Sequence, residues 1–383
     1  MYLLLRPSTA LYLQWIGGGL DAPFRQSSTL SKSGLAAKYN LRGIIGDPSS
    51  RKSQALARRG VEMVKSDLNS ASPIEAATKG AHGVFAMTDY WCLLDKEKAI
   101  HQGKTIVDAC KNTKVKHLVW SSLPNLTRLN RGKYTGVALF DSKDTVEEYA
   151  ESIKGGMVVS YFMPAMFMDV VKQITQQADG VLSLALPFPD PNIAWLLLSP
   201  SRDSGKYVIS LFEGGVSATG AEVQGVSTWT TTSKVVETLK KSTGEEAKFH
   251  STPANVYEGY LPEETRTDLS EMMHWIGESS YYGRRSKERV ASKRCTVDYV
   301  GKVRRARVQM KLFGSVPTCL WLCRRCSSRK QTHLDNPSTP RRIRPMVSRS
   351  LIAAGNPTLL LGGSTSCPQQ HLWSIRYVGA KIE

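Results

Sequence analysis

VKHLVWSSLP, residues 115–124, is a β-rich run without an internal Gly or Pro that ends in two serines and a proline. The residues before it, 96–112, have the apolar spacing of an amphipathic helix. A strand fed by a crossover helix belongs to a parallel sheet, and ligands bind such sheets outside the carboxyl ends of the strands. Ser121 and Ser122 stand at such an end, so the sequence predicts a site around them.

Upstream of this run, strands and helices alternate with short connections, which is typical of a doubly wound parallel sheet. Further alternating segments follow it and indicate a smaller α/β lobe. Predicted strands cover residues 39–45, 61–65, 83–87, 157–162, 181–186, 194–198, 225–230 and 248–251. Predicted helices cover residues 52–59, 72–79, 96–112, 141–153, 204–212, 232–242 and 262–276, the second of them capped by Ser72.

The positive charge of the chain, +18, is unevenly distributed. Residues 1–283 hold 30 Lys and Arg against 29 Asp and Glu, whereas residues 284–383 hold 21 against 4. Five of the seven cysteines also lie in the last hundred residues. A basic surface for nucleic acid is therefore expected only if that tail is functional, and a segment of this composition is usually disordered.

Cys319, Cys323 and Cys326 have a spacing found in zinc sites, but no folded frame surrounds them, and we predict no metal. No run approaches the roughly 20 apolar residues of a membrane-spanning helix, and no membrane partner is expected. Few cysteines in the body indicate a reducing compartment, and the expected localisation is cytoplasmic, nuclear or both.

The first 37 residues contain a strand-like segment, residues 11–16, followed by Gly17-Gly18-Gly19. A dinucleotide fold needs a Gly-x-x-Gly-x-x-Gly or Gly-x-Gly-x-x-Gly turn here, so that the pyrophosphate can approach the backbone at a helix N-terminus. Three contiguous glycines do not have that spacing. They are either a degenerate phosphate loop or a linker, and the linker is favoured.

Residues 39–283 resemble the NmrA-like family, atypical relatives of the short-chain dehydrogenases. The matching segments are 42–50, 60–68, 83–91, 115–124, 140–149, 203–208 and 277–283. The resemblance implies a Rossmann-like fold that binds NADP or NAD. It implies an NAD(P)-binding part at 38–155 and a smaller substrate or partner lobe within 156–283. Residues 1–37 and 284–383 fall outside the pattern, and we expect a degenerate or wrongly assigned N-terminus and a basic, disordered tail.

By position in the family pattern, the expected cofactor-binding residues come from five strand ends and one helix. They are Asp47, Arg51, Asp67, Leu68, Thr88, Asp89, Ser121, Ser122, Lys143, Phe162, Met163, Pro164 and Met166. Gly46 stands where the family commonly has the arginine that grips a 2′-phosphate. Either Arg51 takes that role, or Asp47 accepts from a ribose hydroxyl and favours NAD. The apolar members are expected to line a pocket, with ordinary core packing as the alternative.

Lys143 is the predicted catalytic residue. Short-chain dehydrogenases place a Tyr four residues before this Lys, on the same helical face, as the proton donor. Here that position is Leu139. Lys143 is then either a group that orients the cofactor and acts as a base, or a solvated lysine. Ser121 and Ser122 are likewise either substrate-polarising hydroxyls or residues that satisfy loop backbone.

The missing tyrosine favours, as the leading function, an NAD(P)-binding redox sensor that acts as a negative regulator through a protein partner such as a transcription factor. The alternative is an NAD(P)H-dependent reductase of a small carbonyl or unsaturated substrate. Cofactor turnover with candidate substrates distinguishes the two.

Overall fold

The computed structural model describes residues 2–6, 10–14, 40–177 and 179–283. The glycine triplet and the whole basic tail, with its cysteines, lie outside these residues. No helix in the described part of the chain is long and apolar enough to cross a membrane.

Strands and helices alternate as the sequence predicts, and their bounds are as follows. The strands are β1 (Tyr2–Arg6), β2 (Ala10–Gln14), β3 (Arg42–Ile45), β4 (Glu62–Lys65), β5 (Gly83–Ala86), β6 (His117–Ser121), β7 (Val158–Pro164), β8 (Met166–Phe167), β9 (Thr175–Gln176), β10 (Leu182–Leu186), β11 (Trp195–Leu198), β12 (Glu222–Gly225), β13 (Thr228–Thr230) and β14 (Ala247–Ser251). The helices are α1 (Arg51–Ala57), α2 (Ala71–Thr78), α3 (Tyr90–Leu93), α4 (Lys96–Asn112), α5 (Leu126–Leu129), α6 (Ala138–Ile153), α7 (Gly205–Gly214), α8 (Thr232–Thr243), α9 (Ala254–Gly259) and α10 (Arg266–Ser279).

The main sheet has six strands in the order β1-β2-β5-β6-β7-β12, and β3 and β4 form a separate parallel pair. All neighbouring pairs from β2 to β12 are parallel, while β1 joins β2 antiparallel. The doubly wound parallel sheet predicted from the sequence is thereby confirmed. β2 agrees with the strand predicted at 11–16, and β1 is an addition to the prediction.

Helices cover both faces of this sheet. On one face α6 packs so closely on α4 that a Cβ on Gly103 would stand 2.4 Å from Val146 Cγ2 and 3.2 Å from the Trp120 ring. A cluster of buried apolar residues lies here and includes Trp120, Val146 and Tyr161. On the other face α7 contributes Tyr207, whose ring stacks on Phe162 at 5.8 Å.

The C-terminal lobe is built on two three-stranded sheets, β14-β10-β9 and β13-β11-β8. The predicted extended segment at residues 225–230 is wrong. The structure divides them between β12 in the main sheet and β13 in the lobe. The predicted cap of α2 was also wrong, since the helix already begins at Ala71 and Ser72 lies inside it.

Candidate functional site

The carboxyl ends of β5, β6 and β7 meet at one edge of the main sheet. Ala86, Trp120 and Tyr161 lie in one row across the three strands. The residues that follow them therefore reach the same edge, as the sequence predicted for Thr88 and the two serines. We refer to this place as the strand-end edge.

Lys143 reaches this edge from α6. Its side chain is 5% exposed, so the solvated alternative is wrong. The Nζ atom donates hydrogen bonds to the backbone oxygen of Thr88 and, at 2.7 Å, to Thr88 Oγ1. It also lies 5.3 Å from the centre of the Trp120 ring, a cation–π distance. The structure thus joins Lys143 to Thr88, two residues that the family pattern placed in one site.

The electrostatics of Lys143 are set by its burial. Loss of water lowers its pKa to about 7, against a smaller opposing effect of the Asp89 carboxylate. Burial in turn raises the pKa of Asp89 to about 6, although its carboxyl accepts a hydrogen bond from Cys92 N and lies near Lys143. An amine and a carboxyl that both titrate near neutrality therefore stand together at the strand-end edge.

The two carboxyl oxygens of Asp89 differ in their hydrogen bonding. Its Oδ1 accepts from Cys92 N at 3.3 Å and caps α3. Its Oδ2 is buried and has no hydrogen-bond partner among the described residues. An unpaired buried carboxylate oxygen costs free energy, so it marks a place where a hydrogen-bond donor is expected.

Ser121 and Ser122 are both buried at the end of β6. Successive strand side chains point to opposite faces, so the two hydroxyls serve different sides of the sheet. The backbone N of Ser122 donates to Phe162 O at 2.9 Å and extends the pairing with β7. The Ser122 hydroxyl, however, has no hydrogen-bond partner within the described ranges.

Asp47 and Arg51 lie after β3. The Asp47 carboxylate accepts from Ser49 N at 2.9 Å and from Ser49 Oγ at 2.6 Å, and these bonds lower its pKa. Arg51 is exposed at the first residue of α1, directly after the N-cap Ser50. Asp47 is thus occupied in shaping its turn, while the Arg51 side chain points to solvent.

Asp67 and Leu68 follow β4 and differ in their surroundings. Asp67 is exposed and accepts from Asn69 N at 3.0 Å and from Asn69 Nδ2 at 2.8 Å. Leu68 is buried in the main core. The structure leaves the Asp67 carboxylate accessible, and the assignment of both residues to a cofactor stays a prediction.

The apolar candidates pack mainly as core. Phe162 is fully buried between Phe85 and the stacked Tyr207 ring. Met166 belongs to β8 in the lobe, where its sulfur accepts from Trp195 Nε1 at 3.3 Å. Met163 is buried and Pro164 is half-buried at the end of β7. Their contact with a cofactor stays a prediction.

Sequence reasoning did not single out Glu147, a second titratable group on this face of α6. Burial raises its pKa to about 8, and one of its oxygens is buried without a hydrogen-bond partner in the described part of the chain. The signal was present, because Glu147 lies four residues after Lys143 and so on the same side of the helix. The described residues hold no group of three or more His, Cys, Asp or Glu side chains suited to a metal ion.

A parallel sheet wound on both faces, with titratable groups at its strand-end edge, defines the class of Rossmann-like proteins. The family follows from the sequence itself. The profile of the NmrA-like family matches residues 22–310, and the chain belongs to this family.

Similar proteins include both enzymes and a regulator by name. The NmrA-like family domain-containing oxidoreductase malD of Malbranchea aurantiaca is 30% identical over 244 residues, 58% of this chain and 71% of the relative. The crystal structure of NmrA, a negative transcriptional regulator, aligns with a TM-score of 0.63 at 18% identity, over 78% of this chain and 92% of that one. NmrA in complex with NADP aligns with a TM-score of 0.60 at 18% identity, over 72% and 85%.

Proposed function

We propose that this chain binds a nicotinamide dinucleotide at the strand-end edge and acts as an NAD(P)H-dependent reductase of a small carbonyl or unsaturated substrate. The observation that carries the proposal is the buried Lys143 amine held against Thr88. A lysine buried at this cost in free energy is characteristic of a functional site.

The described residues fit the nicotinamide half of such a ligand. Asp89 Oδ2 and Ser122 Oγ are buried polar atoms without hydrogen-bond partners in these ranges. Lys143 and Thr88 would hold the ribose, as the family pattern implies, and the bound dinucleotide would supply hydride. The segment in which the glycine-rich turn was sought, residues 15–39, lies outside the described residues.

Several observations support the reductase over the regulator. The missing tyrosine opposes catalysis only if no other group can provide a proton. Two titratable groups on α6, Lys143 with a pKa of about 7 and Glu147 with a pKa of about 8, can exchange one near neutral pH. The name of malD, the relative at 30% identity, also includes oxidoreductase.

The second candidate is the redox-sensing negative regulator that acts through a protein partner. Leu139 in place of the tyrosine favours the regulator, and NmrA, whose fold this chain shares, is described as a negative transcriptional regulator. Nuclear or cytoplasmic localisation and a transcription-factor partner belong to this proposal. A regulator is expected to distinguish oxidised from reduced dinucleotide without consuming either.

Titration of the purified chain with NAD, NADH, NADP and NADPH tests the shared step. We expect binding of at least one of them, and a loss in the Lys143→Met variant but not in Lys111→Met, which changes an exposed lysine of α4. Binding of none of the four would overturn both candidates. NADPH oxidation with a panel of aldehydes, ketones and quinones then separates them, because only the reductase consumes cofactor.

A further inference from the structure

Two hydrogen bonds show which face of the main sheet α6 covers. Trp120 Nε1 donates to the backbone oxygen of Lys143 at 3.1 Å, and Tyr161 Oη donates to Glu151 Oε1 at 2.6 Å. Trp120 and Tyr161 lie opposite each other in the register of β6 and β7. The side chains of this row therefore point at α6.

Ser122 lies on the same face, because it follows Trp120 by two residues along the strand direction. On the helix, Lys143, Glu147 and Glu151 form one stripe with a spacing of four residues. The two ends of this stripe are fixed on the sheet by the bonds above. Its central member, Glu147, lies near the end of β6, because its carboxyl interacts with the Ser122 side chain.

The Glu147 carboxyl and the Ser122 hydroxyl lie close together, and the hydroxyl favours the ionised carboxylate. Ser122 has no exposed surface, and neither its Oγ nor Glu147 Oε2 has a hydrogen-bond partner among the described residues. The hydroxyl is nevertheless close enough to Glu147 to lower the pKa of the carboxyl. Glu147 as a whole is half-buried, so part of the residue stays in contact with solvent although its Oε2 is buried.

The surroundings of Glu147 favour its protonated form. Burial is the main cause of its raised pKa of about 8, and nearby carboxylates add to it. Lys143, one turn earlier, directs its amine to Thr88 instead. The titratable groups around Glu147 are Glu222 on β12, Asp144 and Glu151 on α6, Tyr161 on β7 and Lys143.

We propose that Glu147 delivers, through Ser122, the proton that short-chain dehydrogenases take from a tyrosine. The proposal rests on the reductase function above. The substrate carbonyl carbon accepts hydride from a reduced nicotinamide dinucleotide, and the C=O π electrons move to oxygen. That oxygen takes the Ser122 hydroxyl proton, Ser122 takes the proton of Glu147, and the carboxylate left behind takes a proton from water.

The pair is tested first without cofactor. Potentiometric titration of the protein should release about one proton more between pH 7 and 9 in the native chain than in Glu147→Gln, since the native carboxyl ionises there. Ser122→Ala should move this release to higher pH, because it removes the group that lowers the pKa of Glu147. Superimposable curves for native protein and Glu147→Gln would overturn the relay.

The second test uses NADPH with 4-nitrobenzaldehyde. Glu147→Gln and Ser122→Ala should each lower kcat by roughly 100-fold or more with little change in the Kd of NADPH, as is typical on loss of an acid–base group. Glu147→Asp should restore part of the rate and of its pH profile. The control Glu148→Gln, at an exposed residue paired with Arg128, should behave as the native chain.

The outcomes separate the two proposals. Failure of the native chain to bind any of NAD, NADH, NADP and NADPH overturns the reductase itself. Binding without reduction of the aldehyde overturns the relay and leaves dinucleotide binding standing. Reduction at an unchanged rate and with an unchanged pH profile in Glu147→Gln overturns the relay alone.

Discussion

Replacing Lys143 by Met should change how the stability of this protein depends on pH. The folded chain loses the Lys143 proton near pH 7, while the unfolded chain keeps it up to the ordinary lysine pKa of 10.5. Between these values the unfolded state binds more protons, so the free energy of unfolding rises with pH. Methionine has a similar shape and no charge, and it removes this contribution.

The magnitude follows from the width of the window. Each pH unit between the two pKa values contributes about 1.4 kcal/mol. From pH 7 to 9 the native chain should therefore gain roughly 2–3 kcal/mol that Lys143→Met does not gain. The window lies above the pKa of Asp89, about 6, so that carboxyl remains mostly ionised throughout. The lost hydrogen bonds to Thr88 lower the stability of the variant by about 1–2 kcal/mol at every pH and do not affect the difference.

Urea unfolding followed by tryptophan fluorescence at pH 7, 8 and 9 measures this difference. Lys111→Met, at an exposed position on α4, is the control and should follow the native chain. Parallel pH profiles for native protein and Lys143→Met would refute the reasoning, because they would mean that Lys143 is not buried as an amine of depressed pKa.

Three further outcomes are expected. Gly103→Ala should destabilise the protein by about 1–2 kcal/mol, because the new Cβ would stand 2.4 Å from Val146 Cγ2. In a double-mutant cycle measured by urea unfolding, Val146→Ala should suppress that loss of stability. Additive effects of the two substitutions would contradict this packing. Tyr282→Phe should cost about 1–2 kcal/mol in thermal unfolding, because Tyr282 Oη donates to the buried Met163 oxygen at 2.7 Å; an unchanged Tm would show that water replaces the bond. If Arg51 reads a 2′-phosphate, Arg51→Ala should weaken NADPH binding at least tenfold with little effect on NADH, and equal losses would exclude that role.

The sequence predicted best those elements whose local signals, such as capping and apolar spacing, agree with their packing in the fold. The helix predicted at 96–112 matches α4, since Asp95 caps it and a continuous apolar stripe packs on the sheet. Lys143 could be placed near the strand-end edge from its position in the family pattern. Its hydrogen bonds to Thr88 depend on a distant strand and no local pattern contains them.

The sequence did not reveal features that depend on which distant segment a strand or helix packs against. Residues 225–230 have the composition of one strand. In the structure Gly225 pairs with β7 in the main sheet, whereas Thr228, three residues later, already pairs with β11 in the lobe. Glu147 was missed for a related reason, because a charged residue on a helix is usually solvated. Only the placement of α6 over Ser122 makes its environment unusual.

The chain passes from the main sheet to the lobe twice at almost the same point. β7 ends at Pro164 and β8 begins at Met166, while β12 ends at Gly225 and β13 begins at Thr228. The two passages are joined by the hydrogen bond that Ala165 N donates to Gly225 O at 3.0 Å. Tyr207 Oη of α7 donates to Val226 O at 2.7 Å and holds the second passage in place. The main sheet and the lobe are thus connected by two adjacent segments instead of one hinge. We therefore expect a shift at the end of β7 to move the β12–β13 connection with it.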